Sequence, residues 1–81
     1  MKDKIKEILI EKSEVDMKPQ DIGDTDYLLS GGLNMDSIIM IEVLVAIEEE
    51  FNVVFEDYEL TEENMVSVQV IADLVESKLQ K

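Results

Sequence analysis

Apolar side chains recur every three to four residues in three stretches of the chain, and each stretch predicts a helix. The first covers residues 2 to about 14, with Ile5, Ile8 and Leu9 on one stripe and Met1 extending it back by a turn. Lys12 falls on the same stripe, where its aliphatic stem can cover apolar surface. Pro19 disfavours a helical residue before it, so this helix is over by Lys18. The second stretch, residues 38 to 51, is the most apolar. Ile41, Leu44, Ile47 and Phe51 make its narrow inner stripe, and Met40 and Val43 widen it. Another face of that helix carries Ile38, Glu42, Val45 and Glu49, mixing apolar and acidic groups in a way unusual for a merely solvated side. The third helix opens on a Ser67 cap and runs to about Leu79, with Val68, Ile71, Leu74, Val75 and Leu79 facing inward. Lys78 and Lys81 suit the negative end of its dipole.

The connections differ in kind. Residues 15 to 36 keep no lasting period and hold Pro19, Gly23, Gly31 and Gly32 among several Asp and Ser residues, which marks a long loop. Ile22, Tyr27, Leu28, Leu29 and Leu33 can anchor it, so it is expected to pack on the helices as an ordered segment. After Asn52 a short Val-Val-Phe run gives way to acidic turn material, and Thr61 can cap one brief helical turn through Glu62, Glu63 and Asn64. The expected fold is all-α, one domain over residues 1–81: three main helices, one short helix and a long first loop.

Composition narrows what such a bundle can do. The 81 residues carry a net charge of −13, and all seven basic residues are lysines. None lies between Pro19 and Ser77, a stretch that holds fifteen of the twenty acids. Such a field repels phosphate backbones and steers basic protein partners inward, so nucleic-acid binding is excluded as a function. Without cysteine or histidine the chain lacks a thiolate nucleophile, a Cys-based metal site and the usual general base near neutral pH. Disorder, common in acidic chains, is opposed by abundant and periodic apolar residues. No apolar run approaches a membrane span, and the N-terminus lacks a signal-peptide core, so a cytoplasmic monomer is expected.

Two acidic constellations fail as sites. An EF-hand loop started at Asp24 places Leu28 and Leu29 where an oxygen ligand and a glycine belong, and one started at Asp21 places Gly23 and Asp26 wrongly. Glu48, Glu49 and Glu50 fan around their helix instead of converging on a cleft, so paired-carboxylate catalysis finds no support. The segment Leu33-Asn34-Met35-Asp36-Ser37-Ile38 remains. An Asp-Ser pair at a helix start is ordinary capping chemistry, yet this serine follows a long loop and opens the most apolar helix.

Asp36-Ser37-Ile38, with the helix Ile41-Glu42-Val43-Leu44-Val45-Ala46-Ile47-Glu48-Glu49-Glu50-Phe51 after it, resembles the acyl carrier / peptidyl carrier family. That family centres on Asp-Ser-Leu, with the serine starting the second helix of a four-helix bundle. The first helix, the long loop, the short third helix and Ser67-Val68 also fall where the family has them. Ile38 replaces the usual Leu, Asn34 a frequent Gly, and Val54-Phe55-Glu56-Asp57 lacks the proline common in fatty-acid carriers. Together with Glu56-Asp57-Tyr58-Glu59-Leu60, these departures look more like stand-alone carriers of specialised peptide or polyketide pathways.

The resemblance implies a carrier, not an enzyme. A phosphopantetheinyl transferase, using coenzyme A and magnesium, would attach a 4'-phosphopantetheine arm to Ser37, and the arm's thiol would hold an acyl or aminoacyl cargo. Asp36, Ile38, Glu42, Val45, Glu48 and Glu49 would then meet basic and apolar surfaces on the loading and acceptor enzymes. The reading from another class is a non-enzymatic acidic adaptor in which Ser37 is only a helix cap.

Overall fold

A computed structural model describes residues 1–28 and 37–80, with the side chains of Ser37 and Glu62 excepted. Among these residues the chain is helical and has no strand. Helix α1 (Lys2–Ser13) buries Ile5, Ile8 and Leu9 as the periodicity requires. Met1, expected on the same stripe, is 40% exposed, because the helix begins after it and no turn packs over it. Ser13 is buried instead; its hydroxyl donates to the Leu9 carbonyl at 2.6 Å, so the polar atom is satisfied within the helix. Glu14 turns the chain into the left-handed region at φ 56°, and its N–H closes the helix on Ile10 O at 3.0 Å.

The described part of the following loop, residues 15–28, is held by its own polar groups as much as by apolar anchors. It makes a 3₁₀ turn at Pro19–Asp21, where the Asp21 carboxylate accepts from Lys18 N–H at 3.0 Å. Gly23 donates its N–H to Asp26 Oδ2 at 2.7 Å, and a Cβ at residue 23 would lie 2.9 Å from that carboxylate, so the turn is built around a glycine. Ile22 and Leu28 are buried as expected, but Tyr27 is 55% exposed, and Leu28, whose N–H is bonded to Val66 O, takes the inward place. Leu29 and Leu33 lie outside the described residues. The loop is stitched to the start of the last helix by Leu28 N–H to Val66 O and Gln69 N–H to Asp24 O, both 2.8 Å. Asp24 also holds α1 through Lys6 at 2.8 Å and Lys2 at 3.6 Å.

Helix α2 (Ser37–Phe51) buries Val43, Leu44 and Ile47, with Met40 and Phe51 half-buried at the edges. Ile41, expected in this stripe, is 57% exposed. At about 100° per residue, Met40, Val43, Leu44 and Ile47 fill an arc of about 100°, and Ile41 lies beyond its edge beside Val45 and Ile38. The helix ends on Asn52 at φ 55°, with Val53 N–H reaching back to Glu48 O at 3.1 Å, the six-to-one bond of a Schellman closure.

Two 3₁₀ turns, Asp57–Glu59 and Glu62–Met65, lead to α3 (Val68–Leu79). The second of these is the short helix expected after Thr61, although the threonine side chain makes no capping bond. Ser67 caps α3 by accepting from Val70 N–H at 3.2 Å. Val68, Ile71, Ala72 and Val75 are buried, Leu74 is half-buried and Leu79 is 48% exposed, since the last turn overhangs the core. Met65, Val53 and Phe55 join the three inner stripes to complete one apolar core.

Candidate functional site

Ser37 is the first residue of α2, and the helix's first turn contains no acidic residue. In a chain with twenty Asp and Glu residues that gap matters. The opening N–H groups of a helix lack internal partners and carry partial positive charge, which favours an anion placed at the helix head. The Ser37 hydroxyl and Asp36 lie outside the described atoms. Their nearest described neighbour on the helix, Ile38, is 69% exposed.

Beyond Ile38, α2 turns a mixed face to solvent. Ile41 and Val45 are 57% and 45% exposed, and Glu42 and Glu49 stand exposed among them. Burying or exposing such a side chain differs by roughly 1.5–3 kcal/mol, so three uncovered aliphatics on one face are costly to leave in water. A shallow groove of about 270 Å³ runs along this face between Ile41, Glu42, Val45, Ala46 and Glu49, with Lys12 of α1 on its far bank. The sequence pattern identified Ile38, Glu42, Val45 and Glu49 as a separate face but missed Ile41, which belongs with them.

Glu48 differs from those two glutamates. It is half-buried, and its Oε2 accepts from Phe55 N–H at 2.7 Å, seven residues on. Its carboxylate thus stitches the turn after α2 to the helix and is occupied within the molecule. The Asp24 carboxyl is held below its ordinary 3.8 chiefly by the hydrogen bond and charge of Lys6, with Lys2 adding to it and burial opposing. It lies in the loop-to-α1 tie, away from α2's face.

Among the described residues no group of three or more carboxylates gathers as a metal centre would require. With neither histidine nor cysteine in the sequence, the surface can present and hold a group but has no obvious acid–base or nucleophilic machinery of its own. A helix head opening a long exposed apolar and acidic face is the form of a carrier domain.

The comparisons with known proteins agree with that class. Residues 3–76 match the family model described as the phosphopantetheine attachment site, and the chain belongs to this family. Its cofactor is accordingly 4'-phosphopantetheine, covalently held, and its class is that of carriers rather than catalysts. A stretch of 50 residues is 44% identical to the acyl carrier protein of Buchnera aphidicola subsp. Baizongia pistaciae, and the match covers 62% of this chain and 62% of that relative. Holo acyl carrier protein NE2163 from Nitrosomonas europaea has the same fold, with a TM-score of 0.88 over 99% of this chain and 96% of the other at 22% identity. A chain in the crystal structure of engineered Bradyrhizobium japonicum glycine:[carrier protein] ligase, complexed with carrier protein from Agrobacterium tumefaciens and AMP, superposes with a TM-score of 0.81. That match has 29% identity and covers 94% of this chain and 99% of that one. Among the described residues no helix is long and apolar enough to cross a membrane.

Proposed function

We propose that the chain holds its phosphopantetheine arm on Ser37 and delivers a thioester-bound aminoacyl or acyl group to partner enzymes docked on α2. The observation that carries this reading is the family match across residues 3–76 with Ser37 at the head of α2 and no acid in the turn that follows. An alcohol at that place gives a phosphodiester whose negative charge lies against the helix's free N–H groups. When attached, the arm supplies a thiol that the chain itself lacks. Helix α2 fixes the attachment point, Ile38, Ile41 and Val45 offer apolar contact, and Glu42 and Glu49 attract basic residues. Asp36 is proposed to join them at the helix head. Glu48, already bonded to Phe55 N–H, contributes mainly charge. Exposed ion pairs are worth only about 0–1 kcal/mol each, so the acids act on association rate, which suits a carrier that must release every partner.

For cargo, the resemblance to the chain found in the glycine:[carrier protein] ligase complex at 29% identity favours an amino acid loaded by an ATP-dependent ligase. The partners are then a phosphopantetheinyl transferase, such a ligase and an acceptor enzyme. One experiment tests the carrier role: incubate the protein with coenzyme A, magnesium and a broad-specificity transferase, then measure the intact mass. Gain of one phosphopantetheine, lost in Ser37→Ala, is expected. No gain in the parent protein, or gain in the variant, overturns the assignment and leaves an acidic adaptor with a serine cap. Adding glycine:[carrier protein] ligase, ATP and glycine to the loaded protein then tests the cargo; a second increment of one glycyl group is expected.

A further inference from the structure

The large apolar side chains left exposed fall into more than one group. Ile38, Ile41 and Val45 belong to α2's outer face, whereas Val54, Tyr58 and Leu79 line a separate groove of about 740 Å³. They are 70%, 79% and 48% exposed. The groove starts immediately beyond the C-terminal end of α2, which at 1.5 Å per residue puts it about 20 Å from the helix head. It is therefore separate from the point where the arm is attached.

Its frame is stiffly tied. Lys78 donates to Glu59 Oε1 at 2.6 Å and stands 5.5 Å over the Phe55 ring, with both charged side chains largely covered. Glu59 Oε1 also accepts from Glu56 N–H at 2.7 Å, and the Asn64 amide donates to Glu59 O at 2.8 Å. These bonds fix the turn that displays Tyr58, so little ordering remains to be done when something binds.

We infer that this groove is a second docking surface, built for a protein segment that presents an apolar side chain flanked by arginine or lysine. Charge complementarity identifies the occupant. Glu56 is exposed in the groove's lining and Asp57 is exposed next to it in the sequence, no basic residue occurs between Pro19 and Ser77, and the ammonium of Lys78, also in the lining, is paired with Glu59. A second copy of this chain brings another −13 to the same rim and is repelled. A partner seated here leaves α2 free, so one protein can retain the carrier while another works at its head.

The test uses the full chain, isotopically labelled, titrated with a short helical peptide carrying leucines on one face and arginines beside them. Amide shifts at residues 52–60 and 77–79 are expected, together with affinity about tenfold weaker in a Val54→Thr, Tyr58→Ser double variant. Both side chains are exposed, so the melting temperature and the mass gain at Ser37 remain those of the parent. Shifts confined to α2, shifts spread over all acids, or binding indifferent to the double substitution overturn the inference. So does equal binding of a peptide with glutamates in place of arginines, or concentration-dependent self-association through the groove in sedimentation. Loading at Ser37 is read separately, so its failure is not confused with failure here.

Discussion

Helices α2 and α3 pack into the same core, yet they distribute their apolar residues in opposite ways. In α3, Val68, Ile71, Ala72 and Val75 are buried while Asp73, Glu76 and Ser77 face water. In α2 a comparable inner set, Val43, Leu44 and Ile47, is matched by an outer set of Ile38, Ile41 and Val45 that stays exposed. The inner residues hold the bundle together, and the outer ones are surplus to that task. Such a face, with aliphatics in water between exposed glutamates, is the one we propose for docking partner enzymes.

Substitutions can break that contrast. The largest effect is expected at Ile47, which is fully buried: Ile47→Ala costs about 2–5 kcal/mol of stability in urea denaturation, whereas Ile41→Ala stays within about 0.5 kcal/mol. Comparable losses at the two positions would end the distinction between the faces. A smaller effect separates the glutamates. Glu48→Ala strips the half-buried Phe55 N–H of its acceptor and costs about 1–2 kcal/mol, while Glu42→Ala and Glu49→Ala leave the urea midpoint unchanged but slow ligase loading at low salt. Ser67→Ala, which removes the α3 cap, costs about 1 kcal/mol and has no effect on loading.

The smallest expected effect concerns acid stability. Asp24's carboxyl is depressed below 3.8 in the folded state by Lys6, so its contribution is present above its unfolded value and is lost as pH falls through the lower, folded one. Asp24→Asn should therefore flatten the stability curve on the acid side of about pH 4, seen as urea midpoints that fall less steeply than the parent's. Asp24 is partly exposed, so solvent screening keeps this change small.

How far the fold could be read from the chain follows the same contrast. Helices α1 and α3 were legible because polar and apolar positions are sorted, and Ser67 advertised its cap. The inner face of α2 was harder: with Ile38, Ile39, Met40 and Ile41 in a row, periodicity alone could not tell Met40's side from Ile41's. Packing against the neighbouring helices decided it. The role of Glu48 was hidden for a different reason, since its partner is a backbone N–H seven residues away across a turn and leaves no mark in spacing. Likewise Leu79 continued an apolar stripe that the core no longer reaches. Ser37 came from a motif, because an Asp-Ser pair carries no periodicity that could distinguish a cap from an attachment point.

The lysine distribution has a chemical consequence for any energy-rich sulfur ester the protein carries. Such an ester is cleaved by free amines, thiolates and imidazoles, and this chain has no cysteine, no histidine and no lysine between Pro19 and Ser77. Two of the lysines that do lie against the body, Lys6 and Lys78, are paired with Asp24 and Glu59 at 2.8 and 2.6 Å. Lys12, on the far bank of the groove along α2, is the amine the structure sets beside that helix's outer face, while the run from Pro19 to Ser77 supplies none.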